Sequence, residues 1–208
     1  MGSESHFAHS WGGSLSELGH ILYDWFGLNR ALFRLINGMH GALWDHLMQA
    51  TSAAADSANF AWYMAAILLL ARATPRLVST QNAFVFGIGF PIVNVIVSAL
   101  KAATAMPRPA LSLGEQALTL LGRQEGGGAF PSHHVAFAAL LAAALSSGAP
   151  AVLRWILWTF VILVGLARVS LGAHFPVDAV GGALVGAGVA LVIRALLMYW
   201  GGAGRKSG

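Results

Sequence analysis

An all-α integral membrane protein, a bundle of about five to six transmembrane helices with an N-terminal interfacial helix, is the fold class this 208-residue sequence predicts. Three observations carry that expectation. The chain is 57% hydrophobic and 10% charged, with a mean hydropathy of +0.68, whereas soluble domains carry about 25% charged residues. Apolar runs of a length suited to a hydrocarbon slab about 30 Å thick recur along it. The charges between those runs are sorted by sign.

Residues 1–27 read as a polar N-terminal tail, because MGSESHFAHSWGGSLSELGH is Gly/Ser-rich and lacks the basic and apolar regions of a secretory signal. From Leu28 to Met48 apolar residues alternate with Arg34, Asn37, His40, Asp45 and His46 at helical spacing. That pattern is too polar to face lipid and predicts an interfacial helix, with His40 and His46 on its polar side. A first span runs from Ser57 to Ala73, short for the slab unless Ala53 to Asp56 begin it, with Trp62 and Tyr63 suited to an interface. The second, Asn82 to Leu100, ends at Lys101 and carries Pro91 as an expected kink.

A long loop follows from Ala102 to Gly128, containing Arg108, Glu115, Arg123, Glu125 and three consecutive glycines. Loops of that length in compact domains tend to be functional. Its LSLGEQALTLLG stretch reads equally as loop or as a short interfacial helix. Val135–Leu145 and Ala151–Leu166, joined at Ser146–Pro150, predict a helical hairpin. The last span, Ala179–Trp200, has Gly182 and Gly186 at a small-residue spacing that permits close helix packing. Residues 201–208 read as a C-terminal tail.

Five spans place the termini on opposite sides. One side then receives Arg72, Arg76, Arg154, Arg205 and Lys206, with Arg194 close by, and none of the eight acids. The positive-inside rule makes that side cytoplasmic and turns Lys101, His134, Arg168 and His174 toward the periplasm or exterior. A net charge of +4 without a basic run beyond Arg205-Lys206 excludes nucleic acid as a partner. The absence of cysteine excludes thiolate chemistry. The eight histidines lack tight ligand spacing and a nearby carboxylate set, so no metal and no cofactor are expected.

Ionisable residues at membrane depth cost a few kcal/mol and are functional candidates by default. Three clusters share the outer face: Lys101 with Arg108-Pro109, Pro131-Ser132-His133-His134, and Arg168 with His174 and Asp178. Lys101, Arg108 and Arg168 are three cations, and guanidinium geometry matches phosphate oxygens. Ser132 opens a helix whose free N–H groups favour an anion. Asp178 can hold one imidazole nitrogen of His174 and leave the other to attack, while His134 can protonate a leaving oxygen. Each piece has a plainer reading alone: snorkelling anchors for Lys101 and Arg168, a solvated loop residue for Arg108, an N-cap for Ser132, a helix-entry pair for His174 and Asp178. His133 has no assigned role.

At these residues the sequence resembles the type 2 phosphatidic acid phosphatase superfamily, whose signature is K-x6-R-P, P-S-G-H and S-R-x5-H-x3-D. Lys101, Arg108 and Pro109 fit the first block, Pro131, Ser132 and His134 the second, and Arg168, His174 and Asp178 the third. His133 stands where Gly is usual and Ala167 where Ser is usual. The resemblance covers about residues 28–200 and implies a membrane-embedded lipid phosphatase domain there. It implies metal-independent hydrolysis of a lipid phosphate or diphosphate through a phosphohistidine. His174 is then the nucleophile, Asp178 its orienter, His134 the acid, and Lys101, Arg108, Ser132 and Arg168 the phosphate binders. LFRLIN with the downstream Asp45 and Met48, then Ser52, and ARVSLGAHFPVD are most similar to bacterial undecaprenyl-diphosphate phosphatases, which implies the cytoplasmic (inner) membrane, an outward-facing site, and a lipid phosphate and the bilayer as partners. Lipid A or phosphatidylglycerophosphate as substrate, transfer to another lipid, and a non-catalytic lipid-phosphate binder or transporter subunit stand as alternatives, and the oligomeric state is open.

Overall fold

The computed structural model describes residues 23–121 and 126–203, with side chains to Trp200. Residues 1–22 of the N-terminal tail, Arg123 and Glu125 of the long loop, and the end of the C-terminal tail lie outside the described residues. A 3-10 turn, Trp25–Gly27, leads into α1 (Leu28–Asn37) and α2 (Ala42–Ala54). A second turn, Ser57–Asn59, precedes α3 (Phe60–Ala73) and α4 (Thr80–Thr104). The short α5 (Pro109–Leu113) and a turn at Glu115–Ala117 are followed by α6 (His133–Ser146), α7 (Ala151–Ser170) and α8 (Pro176–Ala203). No strand occurs among the described residues.

Three segments are long and apolar enough to cross a membrane: Thr80–Leu113, Ala151–Ser170 and Pro176–Trp200. Ala42–Ala54 and Ser57–Ala73, bent by 51°, pass together as one broken span. With 14 residues, α6 is about 21 Å long and shorter than the slab, yet it is the axis of the bundle. Every residue from Val135 to Leu145 is buried, as expected for a helix that is apolar all round. It packs most extensively on α8, then on α7 and α4.

The α6–α8 crossing is close because α8 presents glycine to it. A Cβ on Gly186 would lie 2.1 Å from the Ala136 carbonyl oxygen, and one on Gly182 would lie 2.4 Å from that of Ser132. Backbone therefore meets backbone, and the Ser132 N–H reaches the Asp178 carbonyl at 2.9 Å. The small-residue spacing in the last span thus sets the distance between two of the signature blocks. Aromatic packing fills the other flank of α6: Phe60 stacks on Phe90 at 4.0 Å, and Phe86 meets Phe137 at 5.7 Å.

The structure corrects or completes the sequence expectation at several points. The interfacial stretch Leu28–Met48 is two helices broken at Gly38–Gly41, and α2 opens the first, broken span. Polar residues that read as water-facing are instead buried in hydrogen bonds: Asn37 donates to the carbonyls of Thr119 (2.8 Å) and Ser170 (2.9 Å). Asp56 sits at the bend, where its carboxylate accepts the Ala58 N–H. Pro91, the expected kink, lies inside α4, which runs from Thr80 to Thr104 as one helix. The loop stretch LSLGEQALTLLG resolves into the end of α5, the Glu115–Ala117 turn and a non-helical run whose Leu121 N–H bonds the Leu171 carbonyl.

Candidate active site

The three signature blocks meet at one end of the bundle. Where α7 ends, Gly172 takes a φ of +75°, a left-handed conformation that favours glycine. The chain folds back there so that the N–H groups of Ala173 and His174 both bond the Arg168 carbonyl, at 3.1 and 3.2 Å. Pro176 then starts α8, and Asp178, three residues beyond Phe175, reaches back to the Phe175 N–H with Oδ2 at 2.8 Å. This is half of a capping box, in which an acidic side chain in the first turn satisfies an otherwise orphaned N–H. The same oxygen accepts from His174 Nδ1 at 3.3 Å. Both side chains have zero exposure.

The cations surround this pair. Pro109 holds Arg108 in an extended conformation at the head of α5. Its buried guanidinium donates to the Ala173 carbonyl (3.1 Å) and the Gly127 carbonyl (3.4 Å). Arg168 is buried and donates from Nη1 to Ser52 Oγ at 2.9 Å. Lys101, in the last turn of α4, is half-buried and donates to the carbonyls of Gly128 (2.6 Å) and Ala129 (3.4 Å). Lys101 and Arg108 both act electrostatically on Asp178.

Ser132 immediately precedes α6 and is fully buried, yet its side chain makes no capping bond. The plain N-cap reading of this serine therefore does not hold. Its Oγ has no hydrogen-bond partner among the described residues. His134 lies half-buried in the first turn of α6. With the spacing of the blocks now realised as one constellation, the comparison with known proteins decides the family: the model of the PAP2 superfamily matches residues 82–201, more than half of the chain.

The chain belongs to the PAP2 superfamily. It is a membrane-embedded phosphoric ester hydrolase of the lipid phosphatase kind. Two solved structures are similar to it. LpxE of Aquifex aeolicus is 27% identical, with a TM-score of 0.69 over 79% of this chain and 93% of that one. The first transmembrane PAP2-type phosphatidylglycerolphosphate phosphatase of Bacillus subtilis is 18% identical, with a TM-score of 0.66 over 94% of this chain and 92% of its own. No curated protein matches the chain.

The two departures from the PAP2 signature have local accounts. His133 is the first residue of α6 and is not among the residues with positive φ. Its position makes no demand for glycine, and its Nε2 bonds Asn94 Oδ1 on α4. Ala167 is fully buried against Met48 and Leu171. A hydroxyl still reaches Arg168, supplied by Ser52 on α2.

Sequence reasoning missed several contributors to this PAP2 site. Tyr23, assigned to the tail, is 3% exposed and donates its hydroxyl to Asp178 Oδ1 at 3.1 Å. Asn29 accepts the Val177 N–H (3.0 Å) and donates to the Tyr23 carbonyl (2.9 Å). Burial, followed by the neighbouring Asp178 carboxylate, holds the Tyr23 phenol well above its ordinary value, so it remains a proton donor. The one signal that could have pointed to it is the run ILYDWF, the densest apolar patch in an otherwise polar tail. By contrast, His40 and His46 stay at the surface, bonding Asp45 (3.2 Å) and the Ala42 carbonyl (2.6 Å).

Proposed function

We propose that the protein hydrolyses undecaprenyl diphosphate to undecaprenyl phosphate at the outer face of a bacterial cytoplasmic membrane, through a phosphohistidine. The observation that carries this reading is the fully buried His174–Asp178 pair amid Lys101, Arg108, Arg168 and Ser132. With Nδ1 donating to Asp178, the lone pair of His174 resides on Nε2. Nε2 attacks the terminal phosphorus, the bond to the bridging oxygen breaks, and His134 delivers a proton to that leaving oxygen. Water, deprotonated by His134, then attacks the phosphohistidine, which releases inorganic phosphate and restores Nε2. Lys101, Arg108 and Arg168 offset the charge on the equatorial oxygens. A phosphate oxygen at Ser132 Oγ would satisfy a buried hydroxyl whose lack of a partner costs about 1–3 kcal/mol.

The opposed roles of the two imidazoles give a bell-shaped dependence of rate on pH, because His174 attacks deprotonated and His134 donates protonated. A flat profile between about pH 5 and 9 would remove that assignment. The decisive assay is phosphate release in EDTA by the wild type and His174→Ala, on undecaprenyl diphosphate, phosphatidylglycerophosphate, phosphatidic acid and lipid A. Loss of release in the variant with undecaprenyl diphosphate as best substrate supports the reading. Persistence of release moves the nucleophile elsewhere.

The similarity to LpxE over most of the chain favours a second reading, hydrolysis of lipid A, and the same panel ranks the two. The outward orientation is supported by Arg72, Arg76 and Arg154 lying at helix ends remote from the site. Because the chain has no cysteine, single Glu115→Cys and Arg76→Cys variants test it directly. An impermeant maleimide on intact cells should label the first and spare the second.

A further inference from the structure

The Asp178 carboxylate offers about four lone-pair sites, and the structure distributes its donors unequally. Oδ2 receives the Phe175 N–H (2.8 Å) and His174 Nδ1 (3.3 Å), and Oδ1 receives the Tyr23 hydroxyl (3.1 Å). Rotation about the bond to the carboxylate would exchange the two oxygens, and a donor fixed on Oδ1 opposes it. Tyr23 is itself fixed. Asn29 ties its carbonyl to the first turn of α8. Its ring meets Phe175 edge-on at 5.9 Å, and Phe33 packs on the other side of Phe175 at 5.1 Å. The neighbouring Asp24 is paired with Arg30 at 3.3 Å.

We infer that Tyr23, which lies outside all three signature blocks, is a positioning residue that aims Asp178 at His174 and limits how strongly the carboxylate holds the imidazole proton. The inference rests on the reading of His174 as the reacting imidazole. A buried phenol usually finds a hydrogen-bond partner, so the bond alone could be packing. What distinguishes it is the acceptor, which already serves His174 through its other oxygen. Other ionisable groups at this end are Lys101 from α4, Arg108 ahead of α5, His134 from α6, Arg168 from α7 and Asp24 beside Tyr23 itself. They are unchanged when only the phenol oxygen is removed.

Tyr23→Phe keeps the ring and deletes the donor. The Asp178 carboxylate then bonds the imidazole more strongly, and His174 keeps its proton to higher pH. The acid limb of the rate profile should move up by about half a pH unit, with kcat about tenfold lower and KM within about twofold. The second readout needs no turnover: the titration midpoint of the His174 ring by NMR, assigned by the signal missing in His174→Gln, should move the same way. A 3,5-difluorotyrosine at position 23, a stronger donor of nearly native shape, should move both downward and serves if the phenylalanine variant does not fold. Unmoved limb and midpoint overturn the inference even if kcat falls, because a purely structural loss lowers the rate without moving either. A moved midpoint in a protein that releases phosphate from none of the lipids upholds it and rejects the phosphatase reading instead.

Discussion

Two polar networks occupy opposite ends of the same helices, and they are built from similar groups to different effect. At the far end the buried Asn82 of α4 accepts from Arg194 Nη2 (3.0 Å) and Ser79 Oγ (3.1 Å) and donates to the Ser147 carbonyl (3.4 Å). Arg194 also donates to the Ala144 carbonyl. These bonds tie α8, α4 and the α6–α7 corner to one another. At the site end, Arg108 and Arg168 also donate to carbonyls and a hydroxyl, but Arg108 bonds the carbonyl next to His174 and the Arg168 carbonyl takes the His174 N–H, which ties both residues to the buried carboxylate–imidazole pair. An arginine in a membrane bundle is therefore not a functional signal by itself. What it surrounds decides.

The largest expected effect separates the two ends outright. His174→Ala should lower phosphate release by about 10⁴-fold or more, as removal of a covalent nucleophile does, while Arg194→Ala should leave the rate per folded molecule near wild type. Steady-state assays on protein that elutes as a single species check both. An Arg194 variant that is folded and inactive would erase the distinction. Next in size, Arg168→Lys keeps the charge but loses the guanidinium fork, and should reduce kcat/KM by about 10²-fold. A rate close to wild type would reduce Arg168 to a membrane anchor.

The contrast also explains what could be read from the sequence. Lys101, Ser132, His134, Arg168, His174 and Asp178 were legible as candidates because each sits at or near the end of an apolar run, and Arg108 because it follows Lys101 in the intervening loop at the spacing of the first block. Tyr23 was not, and Ser52 was legible only as part of the subfamily resemblance and not as a partner of Arg168, since they meet Asp178 and Arg168 across 155 and 116 residues of chain. No local periodicity encodes a contact made only when α1 and α2 dock on α7 and α8. In the fold, hydropathy found α4, α7 and α8 and the apolar core of α6. It did not find the break between α1 and α2, because Asn37 reads as solvent-facing until the Thr119 and Ser170 carbonyls are in place.

A matched pair of substitutions sharpens the comparison further. Ser132→Ala should cost about tenfold in rate, the worth of one hydrogen bond to a charged phosphate, and should leave thermal stability unchanged or slightly raised, since it deletes a buried polar atom with no partner among the described residues. Asn82→Ala should do the reverse. It strips Arg194 and Ser147 of a buried partner, costing about 1–3 kcal/mol of stability with an unaltered kcat. Thermal unfolding in one detergent and rates at saturating lipid measure all four quantities. Stability loss in Ser132→Ala would mean that the hydroxyl is structural after all.

The smallest effect concerns alkaline stability and arises at the Tyr23–Asp178 contact. The Tyr23 phenol is held above its ordinary value of 10.0 in the folded protein, first by burial and then by Asp178. In the unfolded chain it ionises near that value, so as the pH rises past it the unfolded state sheds a proton that the folded state keeps. Folding stability contributed by Tyr23 is therefore complete below the ordinary value and declines as pH climbs toward the folded one. Tyr23→Phe should flatten that decline, with a melting temperature that falls less between about pH 10 and 11 than in the wild type. A parallel fall in both proteins would mean that the phenol is not shielded as the Asp178 contact requires.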